Sequence, residues 1–270
     1  MRIGFISDVH YGPPTWFEGK LAKLTQFADE LTLRFVDRMN REFRPDLVVN
    51  LGDVVEDESR ELDLQRYGHF VDVLSGLDAQ CLHVAGNHDQ YNLTQDDLRK
   101  LWSHAGELHY SKDVGGLHFA VLRTVEHKNT RIELPAEQLP WLEQDLAATS
   151  LPSIVLMHHP ASEMRLEGNR WFENQPHICR VTERRALRGA IERSGKVIAV
   201  FNGHVHWNHL DVIANIPYVT VQSLTENLSD DAPGRPANAW AICDVDERRL
   251  VITVFGEQPV RYQIERPRPS

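Results

Sequence analysis

The sequence predicts an α/β fold in which two mixed β-sheets pack as a sandwich with flanking helices. Three observations predict it. Short apolar runs alternate with longer amphipathic stretches along most of the chain. The first third reads strand–helix–strand–helix–strand, an order that favours parallel pairing through crossover helices. The last third is a series of short β segments.

The elements follow in order. Residues 3–7 form an unbroken apolar run and read as a buried strand. Residues 21–43 carry Leu24, Phe27, Leu31, Phe35 and Met39 at helical spacing and read as one long helix. Residues 46–50 give a second buried strand, 62–77 a second helix and 80–85 a third strand. Residues 109–114 and 117–125 flank Gly115-Gly116, a hairpin signal. Residues 136–147 read as a helix entered just past Pro135. Residues 153–157 and 196–202 are two more buried strands, and 180–194 is the helix before the second. The closing β segments are 209–213, 217–222, 239–245 and 250–255. All 270 residues are assigned to one domain, with 265–270 expected to fray as a tail.

Composition narrows the function classes. Apolar residues make up 41% and charged residues 25%, both ordinary for a globular protein. The net charge of −10 shows no overall basic footprint, so a nucleic-acid partner is not expected. It does not exclude an anionic small molecule, because bound cations can dominate a local field. No apolar run approaches the roughly 20 residues of a membrane span, and no signal peptide is expected before Asp8. The cysteines, Cys81, Cys179 and Cys243, form no CxxC pair and are expected to be buried and unreactive. A cytoplasmic location is the default expectation. The oligomeric state is open, a homodimer included.

Five clusters carry the chemistry: Asp8-Val9-His10, Gly52-Asp53, Gly86-Asn87-His88-Asp89, His158-His159-Pro160 and Gly203-His204-Val205-His206. Each sits just after an expected strand, where open α/β sheets build ligand sites. Singly, each has a bland alternative: a turn, a helix start or a loop entry. Jointly, they place carboxylates, imidazoles and a carboxamide at five strand ends, a donor set suited to Mn, Fe or Zn.

The order D-x-H, G-D, G-N-H-D, H, G-H-x-H resembles the calcineurin-like metallophosphoesterase superfamily. The motifs span residues 8–206. Residues 138–143 are also similar to the class III cyclic-nucleotide phosphodiesterase branch. Residues 199–226, with a Leu-Thr-Glu, resemble manganese-dependent ADP-ribose/CDP-alcohol diphosphatases. The resemblance implies the αββα arrangement and two divalent or mixed-valence metal ions, Mn, Fe or Zn. It implies that Asp8, His10 and His206 bind one ion, that Asn87, His158 and His204 bind the other, and that Asp53 bridges them. His158 is preferred to His159 because the family pattern places the ligand two residues before Pro160. His88 becomes the catalytic histidine, with Asp89 as the residue that orients it.

The implied reaction is attack of a metal-bound hydroxide on a small-molecule phosphodiester such as a cyclic nucleotide or glycerophosphodiester, with His88 assisting the leaving group. Rival readings are a nucleoside-diphosphate-type pyrophosphohydrolase, a phosphomonoesterase and a non-catalytic metal-binding scaffold. Trp171 and Phe172, within residues 165–177, read equally as a substrate lid or base-stacking wall and as a loop anchor. Tyr11, Trp16 and Phe17 invite the same two readings. Asp57, Glu58 and Glu61 read as a solvated helix start, and Arg123 as a surface ion-pair residue.

Overall fold

The computed structural model describes residues 1–229 and 231–266. Strand β1 (Arg2–Ile6) leads into a small hairpin, β2 (Thr15–Phe17) and β3 (Lys20–Lys23). Helix α1 (Ala28–Arg38), β4 (Leu47–Asn50), α2 (Arg60–Leu74) and β5 (Cys81–His83) follow. Two short helices, α3 (Asn87–Asn92) and α4 (Gln95–Leu101), precede the hairpin β6 (Tyr110–Val114) and β7 (Leu117–Val121). A second small hairpin joins β8 (Val125–His127) to β9 (Arg131–Glu133). Then come α5 (Gln138–Ala148), β10 (Ser153–Leu156), α6 (Arg184–Ser194) and β11 (Val197–Asn202). The chain closes with β12 (His209–Ile213), β13 (Ile216–Thr220), β14 (Trp240–Val245), β15 (Arg249–Phe255) and β16 (Val260–Glu265).

One sheet has the order β16-β15-β14-β1-β4-β5, the other β12-β13-β11-β10-β7-β6. Both are mixed, as the sequence predicts. β1, β4 and β5 pair in parallel, whereas β14 joins β1 antiparallel. In the second sheet β7, β10, β11 and β13 are parallel, with antiparallel edges at β6 and β12.

Side-chain alternation divides each strand between two layers. Ile3, Phe5, Leu47 and Val49 meet Phe119, Ile154 and Phe201 of the other sheet in a shared core. Phe5 and Phe201 stack across it, with ring centroids 4.3 Å apart. Ile6 and Val48 face outward, onto Leu31 and Phe35 of α1 and Tyr67 and Phe70 of α2. Ala120, Val155 and Val200 pack on Leu142 and Leu146 of α5 and Leu187 and Ile191 of α6. The result is four layers, helix–sheet–sheet–helix.

Several elements differ from the sequence reading. The helix expected over residues 21–43 begins at Ala28. Residues 20–24 are extended instead: Leu24 N–H donates to the Thr225 carbonyl, and Lys23 bridges Glu226. This tertiary pairing overrides an apolar spacing that suited a helix equally well. The strand expected to run to Val125 stops at Val121, and β8 turns away to pair with β9. Helices α3 and α4 and strand β16 were not among the expected elements. The fraying expected from 265 is corrected at its start: Glu265 pairs in β16, and Arg266 N–H donates to the Arg248 carbonyl. The remainder of that tail, 267–270, lies outside the described residues.

Among the described residues no helix is long and apolar enough to cross a membrane. The three cysteines are free, and burial pushes the Cys179 thiol up to about 12. The stacked core makes a stability prediction. Phe201→Ala should lower unfolding stability by about 3–5 kcal/mol in denaturant titration. A loss under about 1 kcal/mol would contradict the stacked-sheet core.

Candidate metal centre and active site

The five clusters converge at one end of the sandwich. Asp8 and His10 follow β1, Asp53 follows β4, and Asn87 opens α3 just past β5. His158 follows β10, and His204 and His206 follow β11. Asp8, His10, Asp53, His158, His204 and His206 are buried, and Asn87 is half-buried. The backbone there is unusual. Asp8, His10, Asp53, His204 and His206 all have positive φ, between 51° and 69°. Non-glycine residues tolerate that region only where the surroundings enforce it, and such strain gathers at functional sites.

Two glycines let the loops close in. A Cβ on Gly86 would strike Asp53, and a Cβ on Gly203 would strike Ser7 and Asp8. The seam between the sheets is therefore narrow enough for residues from both to share ligands.

Donor atoms of Asp8, His10 and His206 lie within 4.8 Å of one another, as do those of Asp8, Asp53 and His158. Asp53 stands between the groups: its Oδ2 is 3.1 Å from His158 Nε2 and 4.0 Å from His10 Nε2. His158 Nε2 is also 3.1 Å from Asn87 Oδ1. His204 falls in a group with His158 and His159. His159 hydrogen-bonds Thr124 Oγ1 at 2.6 Å, while His158 faces Asp53 and Asn87.

Each donor imidazole is held by its other nitrogen, as metal-ligating histidines are. His10 Nδ1 contacts Glu56 at 2.7 Å, and His206 Nδ1 contacts Glu226 at 2.7 Å. His158 Nδ1 donates to the Leu51 carbonyl at 2.8 Å, and His204 Nε2 to the Ile178 carbonyl at 3.1 Å.

These contacts test whether cations fit. With Nδ1–H given to Glu56 and Glu226, the Nε2 lone pairs of His10 and His206 face each other at 3.1 Å. Two lone pairs so placed repel unless a cation or proton lies between them. Burial opposes charge on His206 and His158, yet Asp8 and Glu226 lift the first to about 9, and Asp53 lifts the second to about 9. Burial alone would raise Asp8, but His206 holds it at about 2. Burial keeps His10 and His204 neutral, at about 4 and about 3, ready to donate lone pairs. This field attracts positive charge, and the donor types suit Mn, Fe or Zn.

His88 lies on the cavity wall beside the donors, with a ring nitrogen within 4.8 Å of donor atoms of His10 and Glu56. Its backbone N–H donates to Asp53 Oδ1 at 2.9 Å, and its ring lies 4.9 Å from that of His10. Burial and Lys23 oppose its charge, but Asp53, Asp57 and Glu56 outweigh them and raise its pKa. Its Nδ1 contacts Asp57 Oδ1 at 2.5 Å.

The expectation that Asp89 orients His88 is thereby corrected. The Asp89 carboxylate accepts the backbone N–H groups of Asp53, Val54, Val55 and Gly86. Lying three residues into the turn at α3, it ties the loop after β4 to the loop after β5. Asp57 reaches the ring instead, although the sequence placed it in a solvated acidic run. Arg123 bonds Gln90 Oε1 rather than a surface carboxylate.

The cavity above the donors has a volume of about 540 Å³. Asp53, Glu56, Asp57 and Glu126 line it against Lys23 and Lys128. Sequence reasoning missed Lys23, Glu56 and Glu126. Lys23 and Glu56 pair at 2.8 Å behind His10, and Glu126 accepts from Asn87 Nδ2 at 2.8 Å. Only Glu56, three residues past Asp53, lay close enough to a motif to be noticed.

A family model described as calcineurin-like phosphoesterase matches residues 1–208. The chain belongs to that family. Its site is accordingly that of a metal-dependent phosphoester hydrolase. A protein of Synechococcus sp., named a probable cyclic nucleotide phosphodiesterase, is 33% identical over 43% of this phosphoesterase and 43% of its own length. A Mycobacterium tuberculosis protein named a cAMP/cGMP dual specificity phosphodiesterase is 27% identical over 73% of this chain and 60% of its own. The match thus spans about half the length of these two relatives. A solved dimetal phosphatase from Danio rerio shares the fold with a TM-score of 0.75, covering 98% of this chain and 99% of its own at 18% identity.

The contacts of Glu226 predict a metal phenotype. Glu226→Gln should weaken manganese binding by about 10–100-fold in calorimetric titration, because His206 loses its carboxylate. Unchanged affinity would remove Glu226 from that role. Saturating manganese should also raise the wild-type melting temperature, since a ligand of the folded state stabilises it.

Proposed function

We propose that this phosphoesterase hydrolyses small-molecule phosphodiesters, a cyclic nucleotide first and a glycerophosphodiester second. The supporting observation is the charge of the cavity. Asp57 and Glu126 line it without belonging to the proposed donor set, Lys23 is already paired with Glu56, and Lys128 offsets one of the two carboxylates. A diester brings one negative charge, a monoester close to two at neutral pH, as for a phosphoserine-type group. The surplus carboxylate penalises the monoester more. The names of the relatives point the same way.

In this reading Asp8, His10 and His206 would hold one cation and Asn87, His158 and His204 a second, with Asp53 within reach of both groups. Cations held there would supply electrostatic stabilisation for in-line displacement and a lowered pKa for bound water. The protein's own groups do the rest. His88, held through Nδ1 by Asp57, presents Nε2 to the cavity and protonates the departing alkoxide. Asp57 fixes the ring's tautomer and stabilises its charged form. Asp89 keeps the Asp53 and His88 loops in register through four backbone N–H groups.

The test is turnover with manganese on bis-p-nitrophenyl phosphate, p-nitrophenyl phosphate, 3′,5′-cyclic AMP and ADP-ribose. Diester turnover should exceed monoester turnover at least about tenfold, and Asp53→Ala should abolish it; the reverse preference would overturn the reading. His88→Ala should lower kcat about 10²–10⁴-fold with metal content intact. Asp57→Asn should lower kcat at least about tenfold with KM little changed, and full activity would free His88 of its orienting partner.

A further inference from the structure

We propose that Trp171 and Phe17 form a stacking wall that selects phosphate esters carrying a flat aromatic group, such as a nucleobase, over aliphatic esters. The proposal rests on the reading of this cavity as the substrate site and names the residues that choose within it.

Both rings are half-buried and both line the cavity, their centroids 4.8 Å apart and their planes tilted by 49°. They come from different parts of the chain, Phe17 from the β2–β3 hairpin and Trp171 from the segment after His158. The neighbouring residue already serves as the anchor of that segment. Phe172 is 8% exposed, packs with Met164, Leu166, Cys179 and Val205, and lies 4.6 Å from the His204 ring. Trp171 packs against the edge of that cluster and, unlike Phe172, keeps open surface. Its remaining open surface faces the cavity, where apolar surface is costly until a ligand covers it.

The wall is built rigidly. Buried Asn169 accepts the backbone N–H groups of Trp171 and Phe172 at 3.0 Å each and donates to the Val205 carbonyl at 2.9 Å. The Trp171 indole N–H donates to Glu226 Oε2 at 3.2 Å, the same oxygen that holds His206 Nδ1. Lys23 packs over the indole, its Nζ 5.3 Å from the ring centroid. A ring fixed in this way loses little freedom when a ligand stacks on it.

The remaining lining is polar. Glu126 and Asn129 offer hydrogen bonds of the kind that hydroxyls and ring nitrogens accept or donate. A cavity of about 540 Å³ suits a nucleotide-sized ligand. Phosphate on the donor floor, a flat ring on the aromatic wall and polar contacts elsewhere make up the pattern of a nucleotide rather than of a glycerol ester.

The test is calorimetric binding of AMP and of glycerol 3-phosphate to the manganese-loaded protein. Stacking one base contributes roughly 1–3 kcal/mol, about fivefold to 150-fold in affinity. AMP should bind at least about tenfold tighter than glycerol 3-phosphate. Trp171→Leu should reduce that ratio to about twofold or less by weakening AMP more than glycerol 3-phosphate, and Trp171→Phe should keep most of it. Phe17→Leu, which touches no bond to Glu226, should lower the ratio at least about threefold and covers the case in which the first variant does not fold. Equal wild-type affinities, or both ligands weakened in proportion, would overturn the proposal. Binding needs no turnover, so the two readings fail separately. An inactive protein that still prefers AMP through Trp171 keeps the wall and loses the phosphodiesterase, whereas diester turnover without that preference does the opposite.

Discussion

Burying charge between two sheets is costly, and this fold does so at the end of every strand that reaches the seam. Asp8, Asp53 and Glu226 are buried there, and Glu56 nearly so, beside His10, His158, His204 and His206. An uncompensated carboxylate in such a place costs several kcal/mol after relaxation. The arrangement persists because each group has a partner and because the field they create together draws in cations. Positive φ at five donors, glycines where loops nearly touch, and carboxylates behind two imidazoles all serve to hold those atoms still.

The layers explain how the strain is tolerated. Phe5 and Phe201 join the sheets at the core, a few residues before Asp8 and His204. The strand ends thus leave a rigid, close-packed platform. Asp89 adds a second constraint by gathering backbone N–H groups from two loops. Local distortion at Asp53 is carried by hydrogen bonds distributed over neighbours rather than by one contact.

The fold was legible where local and global preferences agree. Continuous apolar runs such as 47–49 and 154–156 have no other good use than buried strands. Residues 20–24 carry apolar side chains at a spacing that suits a helix, but pairing with residues 15–17 in the small hairpin and with Thr225 and Glu226, some 200 residues away, holds them extended. The donor clusters were legible for a similar reason: ligand-type residues recurred at strand ends. Asp57 and Glu56 were not. Their motif is a short acidic run, which in most chains is solvated, and nothing in one dimension tells that Asp57 meets His88 or that Glu56 backs His10. Glu226 stands in the sequence only as part of a Leu-Thr-Glu, and its contacts with His206 and Trp171 arise from the fold.

Glu226 shows why such residues carry more than their own contact. One carboxylate steadies His206 on the metal side, Trp171 on the cavity wall and the Arg170 guanidinium at 3.3 Å. A displacement of the wall must pull on the same oxygen that fixes a donor imidazole. Binding chemistry and shape recognition are then linked mechanically, without a moving element between them. The acidic net charge of the chain fits this design. Cations held by the donor set would reverse the local sign at the floor of an otherwise acidic cavity.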